Sequence, residues 1–144
     1  MSDNDTAQRI GQLKGIKSAF LLEARSLDAQ GLTFYALPFF RRAADIELEL
    51  AGMFRALGRE NDARVSLLSA ASSLAQAKQF RTAVPILEQV ADVFPEARDM
   101  LADCRGKEDQ PLVAETPALQ ALVGLLVKKG LISDGEWAEA LQAM

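Results

Sequence analysis

Few residues of this chain are equipped for chemistry. It contains no histidine, which removes the commonest general base near neutral pH and the commonest metal ligand. Its one cysteine, Cys104, has Arg98 and Arg105 close in sequence. As a nucleophile it would need a base or a positive microenvironment, and a buried structural thiol is the plainer reading. A lone cysteine makes no zinc site without partners and permits no intrachain disulfide. Asp45, Glu47 and Glu49 offer carboxylates for acid–base work in principle, but on a helix they read as a polar face. No glycine-rich phosphate loop or nucleophile elbow occurs. The residue types point away from an enzyme, and no cofactor or metal is expected.

What remains is recognition. Phe34, Tyr35, Phe39 and Phe40 form an aromatic cluster. Packing into the core and the adjoining turn is the ordinary reading. The sharper one is that Phe34 or Tyr35 reaches the surface and anchors a partner, as aromatics do at interface hot spots. Trp137, the single tryptophan, either pins the C-terminal part to the body or is presented to another chain.

The composition narrows the partner class. Hydrophobic residues at 49% and charged residues at 25% allow a sizeable core and argue against wholesale disorder. Lys and Arg number 16 against 20 Asp and Glu, a net charge of −4. The basic pairs Arg41-Arg42 and Lys128-Lys129 read as solvated helix faces, so a nucleic-acid binder is not expected. The first six residues are polar and acidic, unlike a signal peptide, and no apolar run reaches the length of a membrane span. A cytoplasmic protein is expected, which leaves the glycosylation match at Asn4-Asp5-Thr6 without meaning.

These residues must be positioned by helices. From Thr6, a candidate cap, Ile10, Leu13, Ile16, Phe20, Ala24 and Leu27 recur every three or four residues, one face of a helix. Residues 1–5 should be loose, and Gly11 and Gly15 weaken the first half, leaving 16–30 as its firm part. Gly31 suits the left-handed position just past a helix end, and Thr33 is a candidate cap for the next helix. The pattern then runs from Ala36 to Leu57 through Pro38, as one long helix or two short ones. After Gly58, with Asn61 or Asp62 as its start, a helix over 63–77 would turn Val65, Leu67, Leu68, Ala71 and Leu74 inward. Lys78-Gln79 makes a turn, and a helix over 82–94 buries Val84, Leu87 and Val90. Pro95 opens a short helix. No alternating strand pattern occurs. Residues 105–116, with Gly106, Pro111 and four charges, read as a linker. Thr116-Pro117 and the capping-box spacing Ser133 to Glu136 open two last helices, which form a hairpin over 117–144.

The chain also echoes itself. Shifted by about 47 residues, Ala24, Leu27, Ala36, Pro38, Phe40 and Ala43 fall on Ala71, Leu74, Ala83, Pro85, Leu87 and Val90. The same small-large-small spacing recurs at Ala63, Leu67 and Ala70. Small residues let helices approach at a crossing, and large ones fill the layers between.

On these residues the stretch from Lys17 to about Ala97 resembles the tetratricopeptide (TPR) family of paired helices, each pair about 34 residues long. The string Ala36 to Ala43 is like the second helix of such a repeat, and Gly31, Phe80 and the closing Pro95 add to the match. The offset of the echo and the missing first-helix tryptophan depart from that pattern. The resemblance implies an all-α, short TPR-like solenoid of antiparallel helical hairpins over 1–104, with the C-terminal αα-hairpin beyond the linker. It also implies a partner groove lined by the first helices. The positions by which some TPR proteins grip a terminal carboxylate fall on Leu21, Arg25, Leu68 and Ser72; only Arg25 suits that task, so this clamp is not expected.

The expected function is therefore a non-enzymatic protein-interaction module, an adaptor or scaffold subunit with a protein partner or a second copy of itself. Leu21, Arg25, Tyr35, Ser72, Leu122, Leu126, Trp137 and Leu141 are its candidate partner-binding residues. The hairpin face with Leu122, Val123, Leu126, Trp137 and Leu141 would dock on the body, on a second copy or in a larger assembly. A dedicated client chaperone of the small acidic TPR type is the alternative.

Overall fold

The computed structural model describes residues 3–111 and Leu126. It is all-α: α1 (Asp3–Ala29), α2 (Thr33–Ala56), α3 (Glu60–Gln76), α4 (Phe80–Val90) and α5 (Pro95–Cys104), with no strand among the described residues. Each helix packs on the next one along the chain, and α3 also touches α5. The expected C-terminal hairpin, apart from Leu126, lies outside the described residues.

Three of the four corners are built alike. The chain leaves α1 through Gly31 (φ 79°), α2 through Gly58 (φ 74°) and α3 through Lys78 (φ 59°). The amide at this left-handed position donates to the carbonyl three residues back, at 3.0 Å each, on Asp28, Arg55 and Ala75. The next amide, of Leu32, Arg59 or Gln79, donates to Leu27, Phe54 or Leu74 five back, at 2.9, 2.8 and 2.9 Å. That pair of bonds is a Schellman motif, which satisfies helix-end carbonyls and turns the chain sharply. Leu32, Arg59 and Gln79 then act as N-caps of the following helices, with φ of −96°, −95° and −105°.

Packing follows the same register. Four residues past each cap stands a fully buried alanine, Ala36, Ala63 or Ala83, whose amide closes the first turn on the cap carbonyl. Eight past it are Phe40, Leu67 and Leu87, and eight before it Ala24, Ala51 and Ala71, all buried. An alanine at the crossing admits the neighbouring helix, and the large residue one turn on fills the layer. Pro38 and Pro85 each stand sixth in their helices, which run on through them. The α4–α5 corner differs: it has no left-handed residue, and Pro95 opens α5 with Arg98 Nε donating to the Ala91 carbonyl at 2.8 Å.

Several local expectations are corrected. Residues 3–5 are helical, because α1 starts at Asp3 rather than at a Thr6 cap and runs through Gly11 and Gly15 with Ile10 and Leu13 buried. Thr33 is the first helical residue rather than the cap; its hydroxyl donates to Asp28 Oδ1 at 2.7 Å. Residues 33–56 form one helix. The α3 start moves to Glu60, since Arg59 and neither Asn61 nor Asp62 is its cap, and α4 ends at Val90. Val65 faces solvent at 53% exposure. Glu47 leaves the polar face that Asp45 and Glu49 keep: it is buried, with Lys17 Nζ at 2.7 Å.

The chain after α5 returns to the body. Gln110 donates its amide to the Lys78 carbonyl at 3.0 Å, and Gln79 Nε2 donates to the Gln110 carbonyl at 2.7 Å. Asp109 Oδ1 accepts the Arg81 amide at 2.9 Å. Gln79 makes no side-chain cap bond, so Asp109 supplies an acceptor for an otherwise unpaired amide in the first turn of α4.

Candidate interaction surface

Consecutive antiparallel helices put the first and third corners at the same end of the molecule. The packing agrees: Ala24 and Ala36 of the first corner and Ala77 of the third share one cluster with Ile16, Phe20, Phe39, Phe40 and Ala43. Five of the candidate binding residues belong to these two corners or to that cluster.

Leu21 is half-buried and packs against the cluster. Arg25 and Ser72 stand seven residues before the caps Leu32 and Gln79, at equivalent places. Arg25 is exposed, and Ser72 Oγ accepts a bond from Gln76 Nε2 at 3.3 Å. Leu126, only 3% exposed, is a member of the cluster itself. Leu122, Trp137 and Leu141 lie outside the described residues.

The aromatic string divides. Phe39 and Phe40 are core residues, with Phe39 meeting Phe20 at a ring distance of 6.4 Å. Phe34 and Tyr35 remain 48% and 49% exposed and pack edge to face on each other, 6.3 Å apart at 80°. Leu32 beside them is also exposed. The patch sits on a stiff base, since the Schellman bonds and the Thr33–Asp28 bond fix the turn that carries it. The sequence pointed to Phe34 or Tyr35 as the surface aromatic, and Leu32, at 42% exposure, joins them.

A hollow of about 460 Å³ is lined by Arg81, Val84, Cys104, Arg105, Gly106, Lys107 and Glu108. Burial pushes the Cys104 thiol up, Lys107 opposes that, and Asp103 adds to it. A thiol held protonated is a poor nucleophile and a poor metal ligand. Among the described residues no group of three or more His, Cys, Asp or Glu is placed to hold a metal, and no helix is long and apolar enough to cross a membrane.

Compared with known proteins, the chain matches no family model, no curated protein and no solved structure.

Proposed function

We propose that this chain is a non-enzymatic protein-interaction module, a TPR-like adaptor or scaffold subunit that presents its first and third corners to a protein partner. The observation that carries this reading is the half-exposed Phe34–Tyr35 pair on a rigid corner. Large aromatics fixed in place lose little conformational freedom on binding and bury much apolar area, which is why they dominate hot spots. The like-built corners support the repeat aspect of the reading, although they recur at 27 and then 20 residues from cap to cap, so that a helix pair spans 47 against about 34 in the TPR family.

The test is affinity capture from the native host with the full chain and with the double variant Phe34→Ala/Tyr35→Ala, followed by sizing of the complexes. Retention by the wild type and loss by the variant, at unchanged helical content, supports the reading. Equal capture by both moves the binding surface away from this corner.

A further inference from the structure

We propose that the hollow between the start of α4 and the turn after α5 binds a phosphate monoester, its dianion held by Arg81, Arg105 and Lys107 and its organic stem seated on Val84 and Cys104.

A turn shapes the hollow. Arg105, at φ −63° and ψ 129°, and Gly106, at φ 83°, bring the Lys107 amide to the Cys104 carbonyl at 3.2 Å. That is a type II β-turn, which calls for glycine at its third place. Beyond it, Asp109 and Gln110 are bonded to Arg81, Lys78 and Gln79, so the turn is held at both ends over the start of α4. Arg81 and Val84, three residues apart, line the hollow from one face of α4. The floor is apolar: Val84 packs against the core, and Cys104 is 3% exposed.

The rim carries three cations against the one carboxylate of Glu108, in a chain of net charge −4. Among the described residues no salt bridge engages the three cations. Lys107 Nζ instead lies 5.2 Å from the Phe80 ring centroid, and the Asp109 carboxylate accepts the Arg81 amide. Guanidinium and ammonium groups grip phosphate oxygens through charge-assisted hydrogen bonds. A dianion balances this rim better than a single carboxylate does. The volume of about 460 Å³ is that of a small-ligand pocket and leaves room for a stem beyond the phosphate. The same dianion is carried by small organic phosphates and by phosphorylated side chains. This chemistry makes no use of the Phe34–Tyr35 pair and goes beyond the adaptor reading.

The experiment titrates the full chain by calorimetry at low salt and about pH 8, where a phosphate monoester is a dianion. The probes are phenyl phosphate, inorganic phosphate and a phosphoserine peptide with uncharged flanks. Phenyl phosphate should saturate, and bind at least about threefold more tightly than inorganic phosphate because its ring covers the floor. Arg105→Gln/Lys107→Gln should weaken it at least about tenfold. Arg55→Gln/Arg64→Gln, which removes equal charge around the second corner, should change it less than about twofold. No saturation at millimolar phenyl phosphate, binding no tighter than that of inorganic phosphate, or equal affinities of the two double variants overturns the proposal. Should the first double variant lose its helical signal, Arg81→Gln decides: a loss of at least about threefold supports the site, and unchanged affinity overturns it. Tighter binding of the peptide than of phenyl phosphate assigns the ester to a phosphorylated side chain, and the reverse assigns it to a small molecule; either supports the site.

Discussion

Lys17 Nζ and Glu47 Oε1 meet at 2.7 Å across the α1–α2 interface, the glutamate side chain 6% exposed and the lysine 23%. A carboxylate taken this far out of water needs its counter-ion, and the pair ties α1 to one register on α2, with Arg9 and Glu49 at 3.6 Å as a second tie. Lys17→Met should destabilise the protein by about 1–3 kcal/mol, less than for a fully buried pair because the lysine still reaches solvent. Adding Glu47→Met should recover most of the loss. Urea unfolding of the two single variants and the double gives the coupling, and additive losses would refute a buried pair.

The left-handed corners make a prediction of opposite signs. Lys78 holds φ 59° with a side chain, whereas Gly31 and Gly58 hold theirs without one. Lys78→Gly should raise stability by about 0.5–1 kcal/mol, the left-handed strain relieved being partly offset by the entropy of glycine in the unfolded chain. Gly58→Ala has open space around the new methyl, so backbone strain alone should cost about 1 kcal/mol. Thermal melts of both variants check the signs.

Leu87 and Val65 test the packing register. Leu87 is fully buried eight residues past its cap, and Val65 is exposed six past its own. Leu87→Ala should cost about 2–5 kcal/mol, while Val65→Ser should stay within about 0.5 kcal/mol. A large loss at Val65 together with none at Leu87 would overturn the assigned faces.

Helix faces and the spacing of the echo were legible because apolar periodicity is set by the backbone itself. Ala24, Ala36, Phe40 and their counterparts therefore fall at matching places around the corners. The helix starts were not legible, because Leu32, Arg59 and Gln79 are not preferred caps; these corners are stabilised from the C-terminal side by Schellman bonds. Lys78 carried no glycine to announce its conformation. Glu47 was misread because a charged residue looks solvent-facing until its partner Lys17, thirty residues away, is placed beside it. Tyr35 shares a helix face with Phe39, four residues on, but stands in the first turn, where α1 has ended and cannot cover it. That end effect depends on tertiary packing and leaves no mark in the spacing.

Cys104 should behave as a protected thiol. Its folded pKa is raised above the usual value, chiefly by burial. The native state therefore keeps its proton to higher pH than the unfolded chain does. This thiol's contribution to stability is level below the unfolded pKa and declines as pH rises from there through the folded pKa. At pH 8, reaction with a disulfide reagent should be at least about tenfold slower than in denaturant. A native rate equal to the denatured one would contradict the burial.

The Phe34–Tyr35 pair separates binding from folding. Both rings are half in water, so removing them takes away edge contacts and little core. The double alanine variant should lose no more than about 1 kcal/mol of stability. Its melting curve and sizing profile as an isolated chain should stay close to those of the wild type. Partner affinity should fall by about tenfold or more, the usual consequence of deleting an aromatic anchor. The two measurements must be made on one preparation, because a destabilised chain also binds poorly. If affinity falls only in step with stability, the patch is part of the fold. If affinity falls while the melting curve stays put, the rings at the first corner are the contact surface.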